Sequence, residues 1–329
     1  MRRMGMWMLV LCLITLVPAG VGAGEKVVTL RASVPTPPTS VPTKALVRFA
    51  DAVEKKSGGA LKIRVFHSGQ LGTDREGIES ARMGTLDIEM TGTGVYSSLY
   101  PNVQILDLPF LFRDAAHAKE IITGPIGDEI FRDLPKYNLV HLSTGDNGMR
   151  HLSTASRAVR KVEDVKGLKI RVPENPIYTA LWRDYGAVVV PLPIAELYMA
   201  LKTGVVDGQD NAPYHVVANK VYEVQKYYSM INYMWMGLTT VMNLEKFKRL
   251  PAEHQKLLLD EARDMAVWTF GAIEEDNKTA IETMRKAGIE VIMNPDQDSF
   301  KRNMKAFYQR YEKEPWYSQA IIDKIQGAK

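Results

Sequence analysis

The sequence predicts an α/β fold with two mostly parallel sheets, because segments with strand periodicity and segments with helix periodicity alternate twice along the chain. Strand periodicity is clear at residues 61–65, where apolar and charged side chains alternate. Helix periodicity is clear at residues 46–53, where apolar side chains recur at intervals of three and four. The chain has 329 residues, more than one average domain, and this length favours two lobes.

Residues 1–23 have the composition of a cleavable secretory signal peptide. Arg2 and Arg3 precede an apolar run at residues 6–17, and small residues follow. The run is shorter than the ~20 residues that span a bilayer, so cleavage is favoured over a retained anchor. The only cysteine, Cys12, lies in this leader. The mature chain therefore has no thiol for disulfides, nucleophilic catalysis or metal ligation, and we expect an exported, periplasmic protein.

The charge of the chain gives no indication of nucleic-acid binding. The sequence has 42 Lys and Arg against 38 Asp and Glu, and loss of Arg2 and Arg3 with the leader reduces this excess further. Nucleic-acid-binding domains usually carry a strongly basic patch, so we expect no nucleic-acid partner.

The first predicted lobe begins with a strand at residues 27–33, which leads through a proline-rich loop to a helix that Thr43 caps. A second strand, at residues 61–65, precedes a helix that Asp74 caps. A third strand, at residues 86–91, opens into a Gly-Thr-Gly loop. This loop lacks the third glycine and the downstream acidic residue of a dinucleotide-binding turn, so it is interpreted as a flexible loop near a pocket. Further elements are predicted as helices at residues 115–123 and 126–135, a strand at 138–143 and a hinge loop at 145–148.

The second predicted lobe repeats the alternation of strand and helix. Its elements are predicted as a strand at residues 167–172, a helix at 175–185, a strand at 188–192, a helix at 194–203 and a polar segment at 206–211. An apolar strand that ends at Asn243 is expected to cross back to the first lobe. Pro251 then opens a helical pattern of more than thirty residues, long enough at ~50 Å to contact both lobes.

Arg171 lies where a buried strand ends. In residues 167–173 (GLKIRVP), apolar and basic side chains alternate until Pro173 ends the strand. Ligands of open α/β sheets lie beyond the carboxyl ends of strands, where an arginine can bind a carboxylate through two parallel hydrogen bonds. The alternative is an ordinary arginine that pairs with an internal acid or reaches water.

Six motifs together resemble one family, the DctP-type extracytoplasmic solute receptors of tripartite ATP-independent periplasmic (TRAP) transporters. In chain order they are VFHSGQLG at 65–72, LDLPFLF at 106–112, GMR at 148–150, GLKIRVP at 167–173, ALKTGVVDGQ at 200–209 and EVQKY at 223–227. They are distributed between residues 65 and 227, in the same order as in the family.

The resemblance implies a two-lobed periplasmic binding-protein fold of the type II kind, with mixed sheets flanked by helices and a long helix that spans both lobes. The lobes are expected at residues 24–147 plus about 237–276, and at residues 148–236 plus about 277–329, with the ligand in the cleft between them. The resemblance also implies that Arg171 binds the ligand carboxylate and that Arg150 and Asn211 complete the acid-binding corner.

The sequence departs from the family pattern at two of the expected site positions. Asp210 stands where the family commonly has Glu. Ile194 stands where an aromatic residue often packs over the ligand, so this contact is smaller here. The identity of the ligand therefore cannot be copied from any relative.

Loops of the first lobe supply further candidates for the far end of the ligand. These candidates are Ser33, Thr36, Thr91, Thr93 and Asn147. Their hydroxyl and amide groups suit a polyol or a hydroxy acid, although such residues also bond to their own backbone in ordinary turns. Tyr214 and Trp235 could wall the pocket or belong to the core.

The sequence thus predicts a periplasmic solute-binding protein that captures a small organic acid and delivers it to a TRAP membrane permease with its small and large subunits. We expect a monomer with no cofactor, no metal and no catalytic residue. The alternatives are a ligand-binding sensor receptor for a signalling membrane protein and, less favoured, a secreted enzyme. The six histidines show no metal-binding spacing, and only His151, beside Arg150, is a candidate for lining a site.

Overall fold

The computed structural model describes residues 27–328. The predicted signal peptide at residues 1–23 lies outside this range. In the part of the chain that the structure describes, no helix has both the length and the apolar composition needed to cross a membrane.

Within the described residues, nine strands form one mixed sheet in the order β2-β1-β3-β8-β4-β7-β5-β6, and β9 pairs with β8. The strands are β1 (Val28–Ser33), β2 (Leu61–Phe66), β3 (Ile88–Gly92), β4 (Leu139–Thr154), β5 (Lys169–Val172), β6 (Val188–Pro191), β7 (Gly208–Asn211), β8 (Tyr227–Asn243) and β9 (Glu290–Ile292). Strands β1, β2 and β3 pair in parallel, as do β5, β6 and β7. The α/β class and the parallel strands at each end of the sheet agree with the prediction.

The helices cover the faces of this sheet. They are α1 (Val41–Lys56), α2 (Asp74–Met83), α3 (Ala115–Ile122), α4 (Pro125–Phe131), α5 (Pro176–Asp184), α6 (Leu197–Lys202), α7 (Pro213–Ala218), α8 (Leu244–Lys248), α9 (Ala252–Lys286), α10 (Gln297–Lys301), α11 (Met304–Gln309) and α12 (Gln319–Gly327). Helix α1 begins at Val41, with Ser40 at its N-cap position. Thr43 therefore lies inside the first turn, although the sequence suggested it as the cap.

The prediction of two separate sheets is wrong, because two long strands run through the middle and join both parallel ends. Strands β4 and β8 pair with each other in antiparallel orientation along most of their length. Strand β8 also pairs with β3 on one side, and β4 pairs with β7 on the other. The parallel ends of the sheet are therefore connected by continuous hydrogen bonding.

The predicted hinge loop at residues 145–148 is part of strand β4. The pairing of β4 with β8 changes register between Asp146 and Met149, so this stretch is an irregularity within the strand. Gly148 has a φ of +91°, a conformation that favours glycine. A β-carbon at Gly148 would also lie 2.6 Å from the β-carbon of Ala212. Glycine is thus required here for both backbone conformation and close packing.

Helix α9 has 35 residues and contacts elements at both ends of the sheet, as predicted. Near its start, Leu258, Ala262 and Met265 pack into a core with β1, β3 and α1. Near its end, Met284 packs with α6 and β8. Because one continuous helix contacts both regions, its backbone hydrogen bonds help to fix their relative position.

Candidate ligand-binding site

A cavity lies where the carboxyl ends of strands from both halves of the sheet meet. This is the position at which open α/β sheets bind their ligands. Its lining residues come from β3, β4, β5, β7 and β8, from the segments that follow β1, β3, β5 and β6, and from the starts of α1, α2 and α7. They are Val34, Pro35, Thr36, Pro42, Asp74, Met90, Thr91, Gly92, Val95, Asn147, Arg150, Arg171, Pro173, Ile194, Asn211, His215, Met236 and Leu238.

Arg171 lies at the end of β5, and its side chain is only 2% exposed. Its Nε and Nη2 atoms donate to the carbonyl oxygen of Leu192, with an Nε–O distance of 2.9 Å. Both bonds use one edge of the guanidinium. Among the described residues, Nη1 has no hydrogen-bond partner and no carboxylate lies within 4.0 Å of the group. The edge formed by Nη1 and Nη2 is therefore free to bind a carboxylate through two hydrogen bonds.

The electrostatic surroundings of Arg171 favour a negatively charged partner. Burial lowers the pKa of Arg171 to about 10, and the nearby charge of Arg150 acts in the same direction, while Asp210 and Asp74 oppose the shift. The guanidinium remains charged at neutral pH, because a pKa of about 10 is still well above 7. A buried cation with incomplete compensation would be stabilised by a bound anion.

Arg150 lies on the same cavity wall but is already paired within the protein. Its Nε donates to Oδ2 of Asp210 at 2.7 Å, and the two side chains are 2% and 0% exposed. Nη1 donates to Oδ1 of Asn211 at 3.3 Å, and Nη2 donates to the backbone carbonyl of Asp210. Burial disfavours the charged form, but Asp210 and neighbouring tyrosines raise the pKa of Arg150 above its usual value. Arg150 is therefore a fixed, charge-compensated part of the wall.

Asn147, Tyr214 and His215 form a buried polar cluster beside the cavity. The hydroxyl of Tyr214 donates to Oδ1 of Asn147. Nε2 of His215 lies 3.1 Å from the same Oδ1 and 2.8 Å from the hydroxyl of Tyr214. Burial, with smaller contributions from Arg150 and Arg171, lowers the pKa of His215 to about 3. The imidazole is therefore neutral at physiological pH, and Asn147 and His215 both present their side chains at the cavity wall.

Asp74 is the first residue of α2 and an acidic member of the wall. Thr73 is the N-cap, paired with Glu76 in a capping box, so the suggestion that Asp74 caps this helix is wrong. Burial raises the pKa of Asp74, while the charge of Arg171 and the backbone N–H groups of Asp74 and Arg75 oppose this shift. Its Oδ1 has no hydrogen-bond partner among the described residues.

Seven of the twelve residues predicted for the site line the cavity, and they come from both halves of the sheet. They are Arg171, Arg150, Asn211, Asn147, Thr36, Thr91 and Ile194.

Five predicted residues do not line the cavity in this structure. Asp210 and Tyr214 lie behind it, where they hold Arg150 and Asn147 respectively. The Nε1 atom of Trp235 donates to Oδ1 of Asp146, and its ring packs against Phe112 and Phe270 in the core. Thr93 is hydrogen-bonded to the hydroxyl of Thr239. Ser33 is buried at the end of β1 and only the residues after it reach the cavity.

Sequence reasoning missed two polar residues of the wall, Asp74 and His215, and most of the apolar ones. His151 was the only histidine considered as a candidate, and its Nδ1 atom accepts a hydrogen bond from the backbone N–H of Asn232, away from the cavity. His215 could have been found because it closely follows Asn211 in sequence. Met90, Met236 and Leu238 lie on strands and have the pattern of core residues, so the sequence gives no sign that they face a cavity.

Comparison with protein families gives a match over residues 32–314 to the bacterial extracellular solute-binding proteins of family 7, the DctP family. The chain belongs to this family of TRAP solute-binding proteins. A solute-binding protein of Verminephrobacter eiseniae is 33% identical over 300 residues, which cover 91% of this chain and 89% of the relative. The 2,3-diketo-L-gulonate-binding periplasmic protein YiaO of Escherichia coli is 34% identical over 256 residues, 78% of each chain.

Solved structures give the same result for the fold of this TRAP solute-binding protein. A TRAP periplasmic solute-binding protein from Polaromonas sp. JS666, bound to D-erythronate, superposes with a TM-score of 0.88. The sequence identity is 29%, and the match covers 92% of this chain and 99% of the other. The predicted family and the periplasmic binding-protein fold are confirmed.

Proposed function

We propose that this TRAP solute-binding protein binds a small organic acid, with the ligand carboxylate on the free edge of Arg171. The observation that carries the proposal is the state of this guanidinium: it is buried at the cavity wall, charged and without a carboxylate within 4.0 Å among the described residues. Arg150 does not compete for this role, because Asp210 already compensates its charge.

The energetics favour an anionic ligand over a neutral one of the same shape. Hydrogen bonds to charged groups contribute about 1.5–3 kcal/mol each when they are well made, and Arg171 can offer two in parallel. A neutral ligand would leave the cation buried and would gain less from the same cavity. We therefore assign Arg171 the role of carboxylate clamp, with Arg150 and Asn211 holding the adjoining wall.

The ligands named for similar proteins support this class of ligand. D-Erythronate, bound by the Polaromonas protein, and 2,3-diketo-L-gulonate, named for the Escherichia coli protein, are both carboxylates of sugar-derived chains. The proposed class is a sugar acid, a hydroxy or keto acid, or a dicarboxylate.

We further propose that binding closes two lobes over the ligand. The proposed lobes are residues 24–147 with about 237–276, and residues 148–236 with about 277–329. Support comes from the cavity wall, which combines Thr36 and Thr91 from one half of the sheet with Arg171 and Asn211 from the other. Closure would exclude water and strengthen the ion pair between Arg171 and the carboxylate.

The proposed biological role is delivery of the acid, unchanged, to the membrane permease of a TRAP transporter. This role places the mature monomer in the periplasm after removal of the predicted signal peptide. A sensor receptor would use the same binding site, so uptake of a labelled acid into vesicles that contain the permease separates the two roles. Uptake that does not depend on this protein would contradict the transport role.

A thermal-shift assay tests the requirement for a carboxylate. We expect D-erythronate or D-galactonate to raise the melting temperature, because a ligand that binds only the folded state stabilises it. The matched neutral controls are erythritol and galactitol, which have the same carbon chains without the carboxylate. Equal shifts with the neutral polyols, or no shift with any organic acid, would contradict the proposal. Conversion of the bound acid to a product, followed by NMR, would contradict binding without chemistry.

A further inference from the structure

The start of helix α5 is hydrogen-bonded to the opposite half of the molecule. Asn175, the N-cap residue of α5, closely follows Arg171 in sequence, and its side chain is 3% exposed. Its Nδ2 atom donates to the backbone carbonyl of Gly94 at 2.8 Å and to Oδ2 of Asp107 at 2.7 Å. Asn175 belongs to the second proposed lobe, whereas Gly94 and Asp107 belong to the first. One buried amide therefore bonds two segments of the other lobe.

The surroundings of this amide fit it closely. Asp107 is 1% exposed, and its Oδ1 also accepts from the hydroxyl of Tyr178 at 3.4 Å. A β-carbon at Gly94 would lie 3.0 Å from Nδ2 of Asn175 and 3.2 Å from both carboxylate oxygens of Asp107. Glycine at this position thus permits the close approach. Asp107 is part of the LDLPFLF motif, and neither Asp107 nor Asn175 lines the cavity.

The two ends of the Asn175 amide have separate roles. Oδ1 accepts from the backbone N–H groups of Ile177 at 2.8 Å and Tyr178 at 3.2 Å, which caps α5. These bonds lie within the second proposed lobe. The bonds of Nδ2 lie between the lobes, so a substitution that keeps the cap and removes the N–H donor would change only the contact between lobes.

Both halves of the molecule enclose the cavity in this structure. The polar residues of the wall are each at most 5% exposed; they include Thr36 and Thr91 of the first proposed lobe and Arg171 and Asn211 of the second. Under the proposed closure, a bound acid leaves when the lobes separate. Separation breaks the bonds from Nδ2 of Asn175, so these bonds raise the barrier to release.

We propose that Asn175, Gly94 and Asp107 form a latch that holds the lobes closed and slows release of the ligand. The latch rests on the proposed closure of the lobes and acts on any acid that the cavity binds. Asn175 and Asp107 are positioning residues, because they stabilise the closed state without lining the cavity. Loss of the latch should therefore raise the dissociation rate constant. The association rate constant should change little, because the ligand enters the open protein, in which the latch is broken.

Asn175→Ser removes the donor of the latch and keeps an N-cap oxygen, because serine caps helices about as well as asparagine. Asn243→Ser is the matched control. Asn243 is 2% exposed and caps α8, and its Nδ2 donates to the carbonyls of Ala81 at 2.9 Å and Arg82 at 3.3 Å. All of these residues belong to the first proposed lobe. Both variants therefore lose buried amide bonds, but only Asn175→Ser loses them between lobes.

Stopped-flow kinetics with D-erythronate and D-galactonate measures both rate constants. A pH of 8 keeps Asp107 ionised, because burial raises the pKa of this carboxyl to about 7. We expect Asn175→Ser to raise the dissociation rate constant at least about tenfold and Asn243→Ser to change it less than about twofold. An increase for Asn175→Ser no larger than that for Asn243→Ser would assign Asn175 a purely structural role and overturn the latch.

An exchange of the two side chains tests whether Asn175 and Asp107 act as a pair. Asn175→Asp keeps the cap but places two carboxylates together, and we expect faster release than in Asn175→Ser. Adding Asp107→Asn restores a donor opposite the new carboxylate, so release should become at least about fivefold slower than in Asn175→Asp alone. Absence of this rescue would overturn the pairing.

The latch and the proposed function fail differently. Wild type that binds an acid, with unchanged release in Asn175→Ser, overturns only the latch. Wild type that binds no acid overturns the carboxylate proposal and the latch with it.

Discussion

Arg150 and Arg171 lie on one cavity wall but differ in what they contact. Arg150 has a buried carboxylate partner at 2.7 Å, whereas the closest contacts of Arg171 are with the carbonyl of Leu192. The first arrangement stabilises the wall, because both charges are compensated within the protein. The second leaves a buried charge that a ligand carboxylate compensates under the proposed function.

Arg171 is therefore expected to contribute little to the stability of the ligand-free protein. For Arg171→Gln we predict a free energy of unfolding within about 1 kcal/mol of wild type or higher, because the substitution removes a buried charge that has no carboxylate within 4.0 Å among the described residues. Urea denaturation measures this quantity. The control is Arg302→Gln, which removes a 61% exposed guanidinium from a surface ion pair with Glu163. A loss of more than about 2 kcal/mol for Arg171→Gln would indicate a structural ion pair instead.

Substitution of Asp210 is expected to have the opposite effect, a large loss of stability. Asp210→Asn removes the compensating charge of Arg150, and we predict a loss of about 3–5 kcal/mol in the free energy of unfolding. The matched control is Glu290→Gln, because Glu290 pairs with Arg160 at an exposed site where such pairs contribute at most about 1 kcal/mol. Equal losses in the two variants by urea denaturation would show that the Arg150–Asp210 pair is not the structural ion pair described above.

His151 is expected to make the protein sensitive to acid. Burial, reinforced by Arg150, lowers the pKa of His151 to about 3, against an ordinary value of 6.5. The unfolded chain therefore binds a proton below pH 6.5 that the folded protein does not bind until about pH 3. The stabilising contribution of the neutral imidazole is thus present above pH 6.5 and is lost as pH falls through this window, by up to about 1.4 kcal/mol per pH unit.

Substitution of His151 by Asn removes this titration. We predict that the difference in free energy of unfolding between wild type and His151→Asn changes in favour of the variant as pH falls from 6.5 towards 3. Urea denaturation at several pH values measures the difference, and other titrating groups cancel in the comparison. A difference that stays constant with pH would contradict the assigned direction of the pKa shift.

At the scale of single elements, the irregularity of β4 determines how Asn147 and Arg150 reach the cavity. We predict that Gly148→Ala destabilises the protein by about 2–4 kcal/mol, because the new β-carbon meets both an unfavourable φ and the side chain of Ala212. Gly167→Ala is the matched control: its φ is +80°, but its β-carbon would contact nothing within 4 Å. We expect a loss of about 1 kcal/mol for the control, and equal losses in urea denaturation would contradict the role of close packing.

The elements that were predicted correctly from the sequence have a clear helix or strand pattern in their own residues. Helix α9 has a helical pattern over 35 residues, and β1, β2 and β5 show strand patterns bounded by turns. The error at residues 145–148 has a physical reason. Glycine, Asp and Asn are typical of loops, but here their polar groups are satisfied inside a bulged strand, as in the bond from the backbone N–H of Gly148 to Oδ1 of Asp146.

At the scale of the whole molecule, the single sheet could not be predicted from local patterns. Strands β4 and β8 are far apart in sequence, and their pairing joins both parallel ends of the sheet. The part of the site on strand ends, such as Arg171 and Asn211, could be predicted, because parallel strands bring their carboxyl ends to one edge. The apolar wall could not be predicted, since only the folded structure shows which strand residues face the cavity.

The central claim, that the free edge of Arg171 binds the ligand carboxylate, is tested most directly by a thermodynamic cycle. Calorimetry measures the affinity of wild type and Arg171→Gln for the tightest-binding acid and for its primary amide. If the two groups are in contact, we predict a coupling energy of at least about 1.5 kcal/mol, with the acid losing far more affinity than the amide. A coupling energy below about 0.5 kcal/mol would show that Arg171 does not contact the carboxylate.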